Sequence, residues 1–344
     1  MKMIDVLIPM YNSEDTIQEC VLSVIQQTIK SEVNIIICND ASNDDSLSIV
    51  YSMMEKYPNI RLLENEYNLG YLSTFNRLLE ESSSDYVAFL DADDLYFPKK
   101  LENQFDFLES NMHIDVVGCN YVRSDNKKNY ISKPSNLPTE HATILASFIN
   151  GDDVICGSSL MIRRNVIDSV GGYRTYFKGK VGEDIDWFGR IIQKHIVANI
   201  PYSGYVYRMS LSSLTRKVSY EVEELHVHQL INYLFRNRIN NKTLYDDVDR
   251  NDNVALSSFF SKFESEYNNK PALLYSKCAF NHAVNQNYKQ CYRDFILCFS
   301  GKRDYFLIVK TALLLFIVIL LPHHFLLKIK ESLNLKHIAR KFLK

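Results

Sequence analysis

Four short apolar runs, with polar side chains gathered where the first, second and fourth end, set the fold of the first hundred residues of this chain. Ile4-Asp5-Val6-Leu7-Ile8-Pro9 opens the series and is stopped by its proline. Asn12-Ser13-Glu14-Asp15 then offers capping chemistry, and Ile17, Val21, Val24 and Ile25 recur at helical spacing. Val33 to Cys38 is a second, β-branched run, followed by a helical pattern through Leu47, Val50 and Met54. Ile60 to Leu63 predicts a third strand, Asn68-Leu69-Gly70 a turn, Leu72 to Leu79 a third helix and Tyr86 to Leu90 a fourth strand. Strands alternating with helices at such short intervals predict βαβ units, hence a mostly parallel sheet covered on both faces.

The fourth strand delivers Asp91-Ala92-Asp93-Asp94. Three carboxylates at the exit of a buried strand repel one another unless a positive charge offsets them. Mg²⁺ or Mn²⁺ suits the task, because it takes hard oxygen ligands from one or two carboxylates together with substrate phosphates. The carboxyl ends of parallel strands are also where such sheets bind ligands. These residues therefore point to a metal-bridged nucleotide site. The other reading of the same residues is a solvated acidic turn in which Asp94 caps the next helix.

Ile8 to Glu14, Asn39-Asp40-Ala41-Ser42-Asn43-Asp44, Asn68-Leu69-Gly70 and Asp91-Ala92-Asp93-Asp94 together resemble the family 2 glycosyltransferases over roughly residues 1 to 215. The resemblance implies a GT-A fold and an inverting enzyme that uses nucleotide-diphosphate sugars. Carried over by position, Pro9, Tyr11 and Glu14 line the nucleotide pocket and Asp40 bonds a uracil-type base. Asp91 contacts the ribose, and Asp93 binds the metal that bridges the diphosphate. The chain departs from the family's frequent Asp-Asp-Gly-Ser at Asn39-Asp40-Ala41-Ser42, where Ala41 lacks glycine's freedom. Each position also has a plainer reading. Pro9 can end a strand, Glu14 can sit in a helix first turn, and Asn68-Leu69-Gly70 can be only a turn. For Asp40 no local cap offers an equal explanation.

Residues 150 to 216 are expected to complete the site. Gly157 to Arg163 reads as a small-residue strand that lets a sugar approach closely. Gly171-Gly172-Tyr173 is a turn, and Gly182-Glu183-Asp184-Ile185-Asp186-Trp187 leads into an amphipathic helix. The resemblance makes Asp184 the catalytic base, with Glu183 and Asp186 as neighbouring candidates and helix capping as the plainer role. Single-displacement inversion needs such a base to take the acceptor hydroxyl's proton. Trp187 is read as core. Tyr205-Val206-Tyr207-Arg208 ends a strand, and the resemblance sets Arg208 near the diphosphate, with Ser212, Ser213 and Arg216 in the loop beyond.

Thirty-nine basic against forty-one acidic residues give a net charge of −2, which argues against a nucleic-acid footprint. Seven cysteines without a C-x-x-C pair are expected to be reduced thiols of a cytosolic protein, and the chain begins directly on its first strand, with no signal peptide. Residues 123 to 140 form a polar loop or hairpin over the acceptor side.

The expected organisation is a GT-A domain over 1–218, a helical appendage over 219–304 and a membrane-associating tail over 305–344. Glu221 to Arg238, Asn253 to Tyr267, Pro271 to Gln286 and Lys289 to Phe299 have helical period, their aromatics read as core. Tyr305 to Leu321 is apolar apart from Lys310 and Thr311, and Ala312 to Leu321 is about half of what a spanning helix needs. Phe325 to Lys344 then carries Lys328, Lys330, Lys336, Arg340, Lys341 and Lys344 against Glu331. Such a segment suits an anionic membrane interface, and its rival is packing on a partner chain.

The reading is thus an inverting hexosyl- or N-acetylhexosaminyl-transferase at the inner face of the cell membrane, dependent on Mn²⁺ or Mg²⁺. It takes a UDP-sugar as donor and the hydroxyl of a glycan or lipid-linked intermediate of surface-polysaccharide synthesis as acceptor. The alternatives are a sugar-phosphate nucleotidyltransferase, whose glycine-rich basic loop the segment Pro9 to Ser13 lacks, and a non-catalytic membrane-bound sugar- or nucleotide-binding protein.

Overall fold

The computed structural model describes residues 2–124, 132–209, 218–299 and 305–320. These divide into two compact units: those within Met1–Met209 and Ile231–Asp246, and those within Ser210–Leu230 and Asp247–Lys344.

The first unit alternates as its periodicity predicts. Strand β1 (Met3–Met10) leads to α1 (Ile17–Ile25), β2 (Glu32–Asn39) to α2 (Ser46–Met54), and β3 (Ile60–Glu64) to α3 (Tyr71–Glu81). Then follow β4 (Tyr86–Phe89), β5 (Leu95–Tyr96), α4 (Lys100–Ser110), β6 (Val116–Ser124), α5 (His141–Asn150), β7 (Met161–Arg163), α6 (Arg164–Val170), α7 (Glu183–Lys194) and β8 (Val197–Arg208). The eight strands form one sheet in the order β3-β2-β1-β4-β7-β6-β8-β5. The first four are parallel, while β7 runs antiparallel to both β4 and β6. Because β2 lies on one side of β1 and β4 on the other, the sheet has a switch point between β1 and β4, where such folds open a ligand crevice.

Burial on both faces explains the near-continuous apolar runs. Ile4, Val6, Ile8 and Met10 of β1 pack with Val21 and Val24 of α1, Val50 of α2 and Leu101 and Leu108 of α4. On the other face Phe75, Phe89, Tyr173 and Trp187 stack or meet edge to face, with centroids 4.0 to 5.6 Å apart. Trp187 is buried, as expected, and its indole N–H donates to the Gly171 carbonyl at 2.7 Å.

Three local expectations are corrected. Strand β1 runs through Pro9 to Met10, because its ladder with β4 has ended at Leu7 and that side needs no N–H from Pro9. Asn12 to Asp15 do not cap α1, whose N-cap Thr16 makes no side-chain cap bond. The expected strand over 157–163 is a 3₁₀ turn at Gly157–Ser159 followed by only three strand residues. There the Ser159 hydroxyl donates to the Cys156 carbonyl at 2.8 Å, closing the turn locally. Of the polar excursion 123–140, residues 125–131 lie outside the described residues, as do Ser212, Ser213 and Arg216. All seven cysteines are free thiols.

The chain continues through α8 (Val222–Leu225) and α9 (Val227–Asn240), which belongs to the first unit from Ile231 onward. Arg238 of α9 pairs with Asp246 and donates to Gln193 of α7 at 2.8 Å. The second unit holds α10 (Asn253–Asn269), α11 (Pro271–Val284), α12 (Tyr288–Leu297) and α13 (Tyr305–Leu320). Within it, His226 stacks on Phe263 at 3.7 Å and meets the Tyr267 hydroxyl at 2.7 Å through Nε2. The expectation that the aromatics of Lys289 to Phe299 are core is wrong for most of them. Tyr292 and Phe299 are exposed, and Cys291, Asp294 and Cys298 face inward instead. No helix among the described residues is long and apolar enough to cross a membrane. Phe325 to Lys344 lie outside the described residues.

Candidate active site

The loops after β1 and β2 are laced together. Asn12 N–H donates to the Ser42 hydroxyl at 3.0 Å, Asn43 N–H to Asn12 Oδ1 at 2.8 Å, and Ser13 N–H to the Ser46 hydroxyl at 2.7 Å. The Glu14 carboxylate accepts from Asp45 N–H at 2.9 Å, while Glu14 N–H donates to Asp44 at 3.0 Å. Glu14 therefore precedes α1 and acts first as a strut between the loops. Tyr11 is exposed at the tip and Pro9 is buried beneath it. Ala41 adopts φ 57°, the left-handed conformation that glycine takes freely, so the departure from Asp-Asp-Gly-Ser keeps a turn alanine disfavours.

Asp40 is buried and its carboxylate is in use. Oδ1 accepts from Asn65 Nδ2 at 2.7 Å and Leu69 N–H at 2.8 Å, and Oδ2 accepts from Gly70 N–H at 2.9 Å. Local structure thus explains this carboxylate, contrary to the sequence argument. It fixes the Asn68-Leu69-Gly70 turn and leaves acceptor capacity only on Oδ2.

The acidic cluster is not a solvated turn. Asp94 is buried, accepting from the Tyr205 hydroxyl at 2.6 Å and from Arg208 N–H at 2.7 Å, and burial holds its carboxyl well above the usual carboxylate range. It clasps β8 and caps no helix. Asp91 is held by the Tyr71 hydroxyl at 2.9 Å and by the Ser158 hydroxyl. Burial raises its pKa against the pull of those two bonds. Asp93 is pushed up to about 6, first by burial and then by the charge of Asp91, with Arg208 opposing. Arg208 itself donates through Nε to the Asp93 carbonyl and pairs with Glu19 at 3.0 Å. It supports the loop from behind and reaches none of the three carboxylates with its guanidinium.

Across from this cluster stands the start of α7. Gly182 at φ 100° turns the chain into the helix, and no side chain caps it. Asp184 is exposed, with Oδ1 accepting Ile185 N–H at 2.8 Å. A Cβ added at Gly157 would lie 3.5 Å from Asp184 Oδ2. Adjacent residues thus touch both halves: Gly157 lies beside Asp184, and Ser158 bonds Asp91. Burial, then the neighbouring Asp184, pushes Glu183 up to about 7. Asp186 is removed from candidacy as a base, because Arg174 and Arg190 clamp its buried carboxylate at 3.0 and 3.2 Å. Arg190 also donates to the Val170 and Gly172 carbonyls, and a Cβ at Gly172 would fall 2.3 Å from Asn76 Oδ1, so a side chain there would have to displace Asn76.

Sequence reasoning missed Tyr71 and Ser158, the two hydroxyls that orient Asp91. Tyr71 directly follows the Gly70 turn and Ser158 follows Gly157, but nothing local says where either points.

Among the described residues no group of three or more His, Cys, Asp or Glu side chains is placed to hold a metal alone. The donors present still suit a hard cation shared with phosphate. Asp93 is a half-buried carboxylate whose pKa is pulled down locally only by its own backbone N–H and Arg208, with Asp91 beside it.

The fold and the edge at which these carboxylates gather define a GT-A sugar-transfer architecture, and comparison with known proteins agrees. The family described as Glycosyl transferase family 2 matches residues 5–171. EpsE of Bacillus subtilis (strain 168), named as a glycosyltransferase, is 30% identical over 197 residues, covering 56% of this chain and 67% of that protein. WfaP of Escherichia coli is 33% identical over 125 residues, covering 36% of this chain and 49% of its own. Its name makes it a UDP-Glc:alpha-D-GlcNAc-diphosphoundecaprenol beta-1,3-glucosyltransferase. Among solved structures, residues 1–349 of S. aureus TarS in complex with UDP-GlcNAc align with a TM-score of 0.57 at 17% identity, covering 93% of this chain and 89% of that one. The chain belongs to glycosyltransferase family 2 and is a glycosyltransferase.

Proposed function

We propose that this enzyme moves a hexosyl or N-acetylhexosaminyl group from a UDP-sugar, with inversion, onto a hydroxyl of a glycan or lipid-linked acceptor in surface-polysaccharide synthesis. The observation that carries the reading is the Gly157-Ser158 bridge. It sets Asp184 on one side of a small-residue segment and the Asp91–Asp93 pair on the other. The donor class is supported by the TarS complexes with UDP and UDP-GlcNAc and by the name of WfaP.

In this reading Pro9, Tyr11 and Glu14 wall the nucleotide pocket, and Asp40 Oδ2 accepts from the base. Asp91 bonds the ribose, oriented for it by Tyr71 and Ser158. Asp93 holds Mn²⁺ or Mg²⁺, which supplies positive charge to the diphosphate. Arg208 keeps the Asp93 loop in place and adds its field to that charge. Asp184, exposed at the positive end of α7, takes the acceptor hydroxyl's proton as the new bond forms at the anomeric carbon and the bond to the diphosphate breaks. Glu183, pushed up to about 7, is partly protonated near neutrality, and Asp184 is the exposed carboxylate of the two. The protein works peripherally at the cytoplasmic face of the membrane, a reading supported by the cations after residue 325.

Asp184→Asn tests the core of this. It keeps shape but cannot take a proton, so turnover should fall by about 10²–10⁴ while calorimetric UDP affinity stays near wild type. Retention of more than about a tenth of turnover would move the base to Glu183.

A further inference from the structure

Tyr288, Tyr292 and Ile296 recur every four residues along α12 and share an outward stripe, while Phe295 packs inward; Phe299 faces outward in the turn after the helix. Tyr288, Tyr292, Ile296 and Phe299 are 47%, 66%, 50% and 44% exposed. Lys289 and Arg293 flank this stripe and are exposed too. The one carboxylate of the helix, Asp294, is buried and bonded to the Tyr220 hydroxyl at 2.8 Å. On α13, Val309, Leu313 and Phe316 form a second outward stripe, at 58%, 58% and 63% exposure. That helix is held from its other side by Leu307, Ile308 and Leu315, which pack in the cores with α11 and α12.

We infer that the outward stripes of α12 and α13 are a docking surface for an anionic phospholipid membrane. The inference rests on the membrane reading above but not on its chemistry. Tyrosine rings seat at headgroup depth, with an apolar body and a polar tip. Cations alongside an apolar stripe are what anionic lipid selects. The sequence following α13 adds six cations against Glu331. A second copy of the chain is the weaker occupant. A two-fold contact through α12 would set the Lys289 and Arg293 side chains of both copies together, with no carboxylate on that face to pair them.

The test uses the full chain, tail included, in co-sedimentation with phosphatidylcholine vesicles with and without phosphatidylglycerol. Wild type sediments with the anionic vesicles. Lys289→Glu with Arg293→Glu lowers that partition by roughly 25-fold or more, at about fivefold per cation, and the loss shrinks at high salt. Tyr288→Ser with Tyr292→Ser lowers it at every salt concentration. Far-UV circular dichroism and UDP affinity of these variants should match wild type, since none of the changed side chains is buried. Wild-type binding by both pairs would assign attachment to the tail alone and overturn the proposal. Unchanged vesicle binding together with loss of an oligomer in analytical ultracentrifugation would overturn it in favour of a second copy. Wild type that sediments with neither vesicle would remove the membrane reading itself while leaving UDP binding untouched.

Discussion

Replacing Asp40 by asparagine should destabilise the α/β unit even without ligand, because this buried carboxylate holds a turn that lies thirty residues away. It accepts three bonds, at 2.7, 2.8 and 2.9 Å, from Asn65, Leu69 and Gly70. An asparagine of the same shape can keep its oxygen toward Asn65 and Leu69, but its amide then faces Gly70 N–H, donor against donor. The change removes a charge-assisted bond of about 1.5–3 kcal/mol and turns a donor toward the half-buried Gly70 N–H. The expected loss is therefore about 2 to 3 kcal/mol. At a urea slope of about 3 kcal/mol/M the midpoint should fall by roughly 1 M. Trp187, the only tryptophan and buried in this unit, reports the transition by fluorescence without interference from the helical unit. A stability within about 0.5 kcal/mol of wild type, the range of an ordinary surface change, would refute the argument. Asp40 would then have to be read as a ligand contact alone.

Other substitutions test other parts. Asp93→Asn should abolish the Mn²⁺-dependent share of UDP binding in calorimetry while Trp187 fluorescence stays native. Equal binding by the variant, or by wild type in chelator, would discard the metal assignment. Ala41→Gly should stabilise the α/β unit by up to about 1 kcal/mol, since relief of a left-handed alanine (about 1–2 kcal/mol) outweighs the added freedom of the unfolded chain. Destabilisation in urea would mean the turn does not hold φ near 57°. Burial, helped by Lys277 and Lys262, depresses His226 to about 4 from an ordinary 6.5. The unfolded chain thus binds the proton first, so this contribution is complete above pH 6.5 and is lost as pH falls toward 4, to the extent of about 3 kcal/mol. Circular dichroism of the helical unit should show that slope, and His226→Phe should flatten it; an unchanged slope would place the acid sensitivity elsewhere.

Periodicity and strand-end chemistry alone determined the β-α alternation, the four parallel strands β3-β2-β1-β4 and the edge where the carboxylates gather, but not the antiparallel pairings of β5 and β7. The features so determined are local properties, because a strand buried on both faces must be apolar throughout and its polar residues collect where it leaves the core. The family motifs, equally local, identified the glycosyltransferase. What the individual residues do there was decided by partners distant in the chain. Asp40 is bound by a turn 29 and 30 residues on, Asp94 by Tyr205, Arg208 by Glu19, and Asp91 by Tyr71 and Ser158. Asp186 resembled a possible base until Arg174 and Arg190 were found clamping it. The same limit appears in α12. Helical spacing tells which residues share a face, but the neighbouring helices decide which face is covered, and they cover Cys291 and Cys298 rather than the tyrosines. A hydrogen-bond partner or a packing surface is a property of two segments at once, and the sequence of either one holds only half of it.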